Sequence, residues 1–224
     1  MAKAGRKPLT RESIVTAALE LVDAGGLEAL SMRALGAKLG VQAMSLYNHV
    51  ANKDAVLDGL HERLIMQIEL DAGAADWIEA LRSAVRSYRA VARAHPQAFV
   101  LLATRPLTTP QEVLRVAPLF EQIGAAGYGI VQRVLLVQAF FTAVNGILLA
   151  EVAPVPGHSD VAEPDSPAVF LAAADVHLEH DGGLGRIAEL AGTGFSGIEL
   201  ENMFDQTVEL ILAGLQTLVP DPDY

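Results

Sequence analysis

The chain has 224 residues, of which 51% are hydrophobic and 19% are charged, so it can bury a large core and is not an intrinsically disordered protein. It contains no cysteine, which excludes disulfides, thiol nucleophiles and thiolate metal sites. Its formal net charge of −11 argues against a uniformly basic protein that coats nucleic acid.

The charge is unevenly distributed along the chain. Residues 1–65 hold eight Lys and Arg against seven Asp and Glu, a net charge of +1. The whole chain has 16 Lys and Arg and 27 Asp and Glu. Residues 66–224 therefore hold eight basic and 20 acidic residues, a net charge of −12. This asymmetry indicates two parts with different partners. The basic, polar start does not resemble a signal peptide and, with the lack of cysteine, leads us to expect a cytoplasmic protein.

Four helices are predicted in the first 70 residues from capping residues and apolar repeats. They run from Thr10 to about Ala24, from Met32 to Leu39, from about Gln42 to His49, and from Lys53 to about Leu70. Ser31 and Asn52 are the predicted N-caps of the second and fourth helices. Gly25-Gly26 is expected to end the first helix as a left-handed C-cap, and Gly40 to end the second.

The segment from Ser31 to Lys53 has the pattern of a helix-turn-helix. It reads SMRALGAKLGVQAMSLYNHVANK. Its apolar residues can close a small core, and they are Leu35, Leu39, Val41, Leu46 and Val50. Its polar residues then lie on the outer side of the second helix, which is free to enter the DNA major groove. The segment therefore predicts a DNA-binding protein.

The remaining chain also predicts helices. Asp76 with Glu79 caps a helix that starts at Trp77, His95-Pro96 splits it, and Arg105-Pro106 ends its second part. Thr109-Pro110 with Glu112 opens the next helix, and a long apolar helix runs from Ile130 to about Glu151. A loop over Ala153–Pro167, a helix from about Ala168 to His180 and a last helix from about Ile198 to Val219 follow.

These patterns predict an all-α fold, since no alternating apolar run indicates a strand. We expect an N-terminal arm with a three-helix helix-turn-helix domain over residues 1–52, a connecting helix over 53–70, and a larger helical ligand-binding and dimerisation domain over 71–224. The most apolar stretch, Val131–Ala150, contains Arg133 and several amides. We interpret it as a helix buried in protein, with a subunit interface as one setting and a membrane segment as the alternative.

The second helix of the motif supplies the candidate DNA contacts. Amides pair with adenine and small apolar groups meet the thymine methyl, so the predicted base readers are Gln42, Ala43, Met44, Ser45 and Asn48. Gln42 could instead serve only as a helix cap. Hydroxyl, imidazole and cationic donors position a helix on phosphate, which gives as predicted phosphate ligands Arg6, Lys7, Thr10, Ser31, Arg33, Tyr47, His49 and Lys53. Some of these phosphate contacts have an alternative. Arg6 and Lys7 could belong to a solvated tail, Tyr47 could be a half-buried packing residue, and His49 could be an ordinary surface residue.

The later helices combine apolar side chains with a few polar ones, which is what a small-molecule cavity requires. The candidate effector pocket comprises Phe99, Leu101, Leu102, Thr104, Arg105, Phe120, Leu136, Gln138, Phe140, Phe141 and Asn145. An ordinary helical core has the same composition. His177 and His180 lie one helical turn apart but lack a third ligand, so no metal and no cofactor is predicted.

The stretch LGAKLGV…SLYNHVANKDAVLDGL closely resembles the helix-turn-helix of the tetracycline-repressor (TetR) family. Its marks are Gly40-Val41, Leu46-Tyr47, His49 and Asn52-Lys53. The later ATRP at Ala103–Pro106 and the closing FDQTVELILAGLQ resemble the tetracycline-repressor subgroup more loosely. The resemblance implies a homodimer joined through C-terminal helices, a palindromic double-stranded DNA operator, and release by a small molecule. It implies no catalytic residue.

One position departs from the drug-sensing members of that family. They carry a magnesium-ligating His three residues before the Thr of the TRP motif, and Leu101 stands there in this chain. Thr104 is retained, but the best nitrogen ligand is lost, so we expect an apolar effector other than a tetracycline–magnesium complex. Two further hypotheses remain: a DNA-binding protein without an effector, and an enzyme with an incidental helical module.

Overall fold

The computed structural model of the chain describes residues 8–71, 73–152 and 197–223. Within these ranges the chain forms helices and no strand, which confirms the all-α class. In chain order the helices are α1 (Arg11–Ala29), α2 (Met32–Leu39), α3 (Ala43–Leu46), α4 (Lys53–Ile65), α5 (Trp77–Ala94), α6 (Phe99–Thr104), α7 (Pro110–Ala125), α8 (Ile130–Val152) and α9 (Gly197–Leu215). The predictions for Arg6, Lys7, the loop over 153–167, the helix over 168–180, His177 and His180 lie outside the described residues.

The chain divides into two compact units, Met1–Ala153 with Leu215–Tyr224, and Pro154–Gly214. Helix α9 contains all of the described residues of the second unit. It buries a single face through residues four positions apart, Phe204, Val208 and Leu212, and leaves Met203 and Leu210 exposed. The predicted last helix, which was expected to reach Val219, ends at Leu215.

Helices α1 to α3 enclose a core of fully buried apolar side chains: Ile14, Ala18, Val22, Leu35 and Leu46. Each fully buried leucine or isoleucine contributes about 1.5–3 kcal/mol relative to an exposed one. The predicted caps Thr10 and Ser31 are confirmed, because their hydroxyl oxygens accept from the backbone N–H groups of Ser13 and Ala34 at 3.1 Å.

The end of α1 differs from the prediction. The backbone leaves the helix at Gly25, with φ −149°, and Gly26, with φ 72° and ψ 179°. The ψ of Gly26 is extended, so the pair forms a sharp kink instead of a left-handed cap, and a further helical turn reaches Ala29. Gly40, with φ 65° and ψ 32°, does adopt the left-handed conformation that ends α2.

Helix α4 begins at the predicted cap, where Asn52 Oδ1 accepts from the Ala55 N–H at 2.8 Å. It ends at Ile65, five residues earlier than predicted. The apolar repeat misled the prediction because Ile68 is still buried after the helix has ended. The buried face of α4 also carries one polar residue, His61, with 1% of its surface exposed.

Helices α5 to α8 form the body that follows. The predicted boundaries at Asp76, His95, Arg105 and Thr109 are confirmed, and Thr109 with Glu112 forms a full capping box. Tyr88 of α5 lies edge-on against Phe99 and Phe141, with ring centroids 5.8 and 5.1 Å apart. The C-terminal residues lie against the start of α8, since the Tyr128 hydroxyl donates to the Leu218 carbonyl at 2.9 Å.

Helix α8 has one buried face and one exposed apolar face. Leu136, Phe140, Val144 and Leu148 are buried, whereas Val131 and Leu135 are about half exposed. Among the helices of the described ranges, only α8 has the length and mean hydropathy, 1.8, that could span a membrane, and 22% of that window is buried. The prediction of a buried helix therefore holds for one face of α8 only.

Candidate nucleic-acid interface and ligand cavity

The turn between α2 and α3 brings two backbone segments into close contact. The Gly40 N–H donates to the Ala37 carbonyl at 3.1 Å, and the Val41 N–H donates to the Gly36 carbonyl at 2.9 Å. A Cβ on Gly36 would lie 2.9 Å from the Val41 carbonyl oxygen and 3.1 Å from the Ala43 nitrogen. Gly36, which the sequence analysis did not single out, therefore permits the close approach that orients α3.

Helix α3 is shorter than predicted. Regular helix covers Ala43–Leu46, and residues 47–49 continue as a turn in which the His49 N–H donates to the Leu46 carbonyl at 2.9 Å. Gln42 is the N-cap, but its side chain makes no capping hydrogen bond. The alternative role of the Gln42 side chain as a helix cap is therefore wrong. Gln42 is exposed.

The predicted base readers share one exposed surface around α3. Gln42, Met44 and Asn48 are exposed, with 73% exposure for Met44, whereas Ala43 and Ser45 are half-buried. Leu46 and Val50 face the core on the other side. This separation leaves the side chains of Gln42, Met44 and Asn48 accessible on the outer face of α3.

The predicted phosphate ligands that the structure describes are all exposed: Thr10, Ser31, Arg33, Tyr47, His49 and Lys53. Thr10 and Ser31 use their oxygens as caps, which leaves each hydroxyl proton free to donate. In the described ranges no ion pair holds Arg33 or Lys53, whereas Lys38 pairs with Glu20 at 2.8 Å. Arg33 and Lys53 are therefore cations that can approach a phosphate without first losing a partner.

A cavity of about 590 Å³ lies among α4, α5, α6, α7 and α8, within the range typical of small-molecule sites. Six of the predicted pocket residues line it: Leu102, Arg105, Phe120, Gln138, Phe141 and Asn145. The structure places the other five elsewhere, namely Phe99, Leu101, Thr104, Leu136 and Phe140. Four of these side chains are buried against other residues, namely Phe99, Leu101, Leu136 and Phe140. The fifth, Thr104, donates through its hydroxyl to the Val100 carbonyl at 2.6 Å.

Two polar side chains meet at one end of the cavity. The Tyr88 hydroxyl donates to Asn145 Oδ1 at 2.6 Å, and Asn145 Nδ2 donates to the Ala103 carbonyl at 3.2 Å. Burial raises the pKa of the Tyr88 hydroxyl, and the Asn145 hydrogen bond only partly offsets this. Tyr88 is therefore a neutral donor at physiological pH, and Asn145 is held in one orientation.

A second polar pair, which the sequence analysis missed, joins α4 to α7. His61 Nδ1 lies 2.6 Å from Glu112 Oε1, and both side chains are buried. Glu112 Oε2 accepts from the backbone N–H groups of Thr108 and Thr109 at 2.7 and 2.8 Å. Burial opposes ionisation, but the Thr109 and Thr108 N–H groups and His61 outweigh it and lower the pKa of the Glu112 carboxyl. Glu112 was predicted only as part of a cap.

Arginines complete the polar lining of the cavity. Arg105 is paired with Asp58 of α4 through Nη2 and Oδ1. Arg115 donates through Nε, at 2.9 Å, and Nη2 to the carbonyl of Ile68, just beyond α4. Arg115 lies one helical turn after Glu112, and that i, i+3 spacing is the signal in the sequence that could have placed both on the same face of α7.

Leu101 occupies the position where the resemblance places a magnesium-ligating histidine, and its buried side chain offers no ligand atom. In the part of the chain that the structure describes, no group of three or more His, Asp or Glu could hold a metal ion.

Comparison with known proteins agrees with this arrangement. Residues 14–60, from α1 into α4, match the sequence profile of the bacterial regulatory proteins of the tetR family. An HTH-type transcriptional regulator of Saccharopolyspora erythraea is 38% identical over 125 residues, 55% of this chain and 53% of the relative. The tetracycline repressor protein class G of Vibrio anguillarum is 31% identical over 189 residues, 78% of this chain and 86% of the relative. The chain belongs to the TetR family.

The solved structures of TetR-family proteins extend the likeness over the body. The TetR family protein ActR of Streptomyces coelicolor, in its crystal structure with actinorhodin, has a TM-score of 0.73 and 25% identity, covering 94% of this chain and 96% of its own. The chain spans about half the length of several of the curated relatives that it matches, including the regulator of Saccharopolyspora erythraea. The TetR fold thus covers both the helix-turn-helix and the body.

Proposed function

We propose that this TetR-family chain is a homodimeric, sequence-specific transcriptional repressor that a small, largely apolar effector releases from DNA. The observation that carries the proposal is the outer face of α3, where Gln42, Met44 and Asn48 are exposed, while Leu46 and Val50 anchor the inner side in the core. That is the arrangement by which a helix-turn-helix reads the major groove. Its relatives include proteins named as repressors, among them the tetracycline repressor of class G.

In the proposed complex, base edges are read by Gln42, Ala43, Met44, Ser45 and Asn48. Phosphates are bound by Thr10, Ser31, Arg33, Tyr47, His49 and Lys53, and also by Arg6 and Lys7 of the N-terminal arm. The exposure of the described members supports these roles, since a DNA ligand must be accessible in the free protein. We also retain the proposed division into a DNA-binding domain over 1–52, a connecting helix and an effector and dimerisation domain.

Dimerisation is proposed through the exposed apolar faces of C-terminal helices. Ile130, Val131 and Leu135 of α8 are each about half exposed or more, and Leu210 of α9 is 74% exposed. An exposed apolar face on a helix of this length, such as that of α8, is typical of a protein interface. A two-fold dimer would present two copies of α3 to a palindrome whose half-sites lie about one helical turn apart or a multiple of it.

The cavity supports effector binding over the alternative of a DNA-binding protein without an effector, because a filled core would leave no such space. Arg105 and Asp58 tie the cavity wall to α4, which leads directly from α3. An effector that prefers the form unable to bind DNA shifts the population by its differential affinity, typically worth about 1–3 kcal/mol. The crystal structure of ActR with actinorhodin is a precedent for ligand binding in this fold. We propose a cytoplasmic regulator with no catalytic residue.

The test is fluorescence anisotropy of the purified full chain on DNA from upstream of its own gene, with random DNA as the control. We expect saturable, sequence-selective binding that weakens steeply as salt is raised. Equal and weak binding to both DNAs would contradict a repressor that acts at its own promoter.

A further inference from the structure

The cavity lining contains three basic side chains. They are His61, Arg105 and Arg115, and no Asp or Glu stands among the described residues of the lining. In the whole chain acidic residues outnumber Lys and Arg by 27 to 16. The cavity lining is therefore basic, although the chain as a whole has a net negative charge.

Two of these three groups are matched by carboxylates that lie outside the cavity lining. Asp58 pairs with Arg105, and Glu112 contacts His61. Arg115 differs from both, since its hydrogen bonds in the described ranges go to the carbonyl of Ile68. A guanidinium has five N–H donors, and that carbonyl engages two of them. Arg115 thus places a half-buried positive charge at the cavity, and no carboxylate of the described ranges pairs with it.

His61 supplies a second polar group to the cavity lining. Its side chain is 98% buried and held through Nδ1 by Glu112, while no hydrogen bond of the described residues involves Nε2. Because one ring nitrogen is already engaged, the other can form a hydrogen bond with a ligand in the cavity. His61 and Arg115 both lie where the C-terminal part of α4 and the residues after it contact α7.

From these observations we propose that the cavity binds an amphipathic organic anion. Its apolar, ring-containing body lies against Leu102, Phe120 and Phe141, and its acidic group pairs with Arg115. The acidic group belongs to the class of carboxylates, sulfonates and acidic phenols, whose oxygens match a guanidinium. His61 Nε2 meets a second polar group of the same molecule. The inference rests on the proposed effector cavity and adds a charge to its ligand.

A matched pair of fluorescent probes tests the charge. 8-Anilino-1-naphthalenesulfonate and N-phenyl-1-naphthylamine share their rings and differ in the sulfonate. For the wild-type chain we expect the sulfonate probe to bind on the order of tenfold more tightly, because its anion gains a charge-assisted pair. The Arg115→Gln variant should lose that preference and keep its affinity for the neutral probe.

Three variants separate charge recognition from other effects. Arg86→Gln removes the same charge from an exposed position outside the cavity and should leave both affinities unchanged. Arg115→Lys keeps the charge and should retain the preference for the sulfonate even if the contact to Ile68 is weakened. Val137→Trp fills the cavity and should weaken both probes, which verifies where they bind.

The outcomes distinguish the two proposals. Equal affinity of wild type for both probes, or an unchanged preference in Arg115→Gln, would overturn the anionic ligand while leaving the cavity intact. Unchanged binding of both probes by Val137→Trp would mean that they bind elsewhere, and would count against the effector cavity itself. If Arg115→Gln fails to fold, Arg115→Met removes the same charge, and an unchanged preference for the sulfonate in that variant overturns the proposal.

Discussion

At the scale of single residues, Gly36 illustrates how one missing side chain shapes the DNA-binding surface. The Gly36→Ala variant would place a methyl group 2.9 Å from the Val41 carbonyl oxygen, and a backbone atom cannot move aside as a flexible side chain does. We expect α3 to shift and stability to fall by about 1–3 kcal/mol, as in other overpacked sites. Urea denaturation measures the loss.

The control for this variant is Ala37→Ser, which adds one atom at an exposed position of the same helix. It should change stability by no more than about 0.5 kcal/mol. Equal stability of Gly36→Ala and the wild type would show that the turn tolerates the methyl group, and that Gly36 does not set the position of α3.

Glu112 gives a prediction about pH. Because hydrogen bonds lower its folded-state pKa, the unfolded state binds more protons in acid, so the carboxylate stabilises the fold above its ordinary pKa and this contribution is lost as pH falls through the lowered value. Glu112→Gln should cost about 1–3 kcal/mol at neutral pH, since the charge-assisted hydrogen bonds from the two threonine N–H groups become weaker, neutral ones.

Urea denaturation of wild type and Glu112→Gln, repeated from neutral to acid pH, measures this contribution. The gap in unfolding free energy should narrow as pH falls below the ordinary range of a glutamate. Glu121→Gln, an exposed change on the same helix, serves as the control. A gap that stays constant with pH would contradict the role assigned to the Glu112 charge.

At the scale of helices, α8 carries the proposed dimer contact. Leu135→Glu places a charge on its exposed apolar face, where Leu135 is 52% exposed in the single chain. Losing a buried leucine and burying a carboxylate should raise the dimer dissociation constant on the order of a hundredfold. Sedimentation equilibrium measures the constant.

Leu114→Glu is the matched control for the dimer, because Leu114 of α7 is 73% exposed and the same charge is introduced. It should leave the association unchanged. Dimers that are lost equally in both variants would mean a general effect of charge, and a dimer that survives Leu135→Glu would place the interface away from this face of α8.

Most helix boundaries could be predicted because they depend on local chemistry. Thr10, Ser31, Asn52, Asp76 and Thr109 cap helices through groups three residues away, a distance that the sequence displays directly. The end of α4 was mispredicted, since an apolar repeat continues past the helix. An apolar repeat reports burial and does not report whether the backbone is still helical.

The cavity was predicted less well because its walls depend on contacts between distant helices. Phe140 and Phe141 are adjacent and equally apolar, yet only Phe141 lines it. His61 and Glu112 are 51 residues apart, and no periodicity in either helix indicates that they meet. Sequence patterns identify which helices are apolar, but the crossing of α4 with α7 decides which side chains enter the cavity.

For the whole molecule, the uneven charge along the chain agrees with the proposed roles of its two parts. The first 65 residues have a net charge of +1, and the acidic remainder carries −12, so only the helix-turn-helix side is suited to phosphate. The net negative charge of residues 66–224 disfavours contact of that part of the chain with DNA. The cationic lining of the cavity then allows an anionic ligand inside a chain of negative net charge.

The measurement that tests the central claim most directly compares Asn48→Ala with Lys53→Ala on specific and random DNA at two salt concentrations. If α3 reads bases, Asn48→Ala loses about 1–3 kcal/mol on specific DNA only. Lys53→Ala should weaken both DNAs alike and make the salt dependence shallower by about one unit. An unchanged sequence preference in Asn48→Ala, together with a sequence-selective loss in Lys53→Ala, would contradict the assignment of α3 as the reading surface.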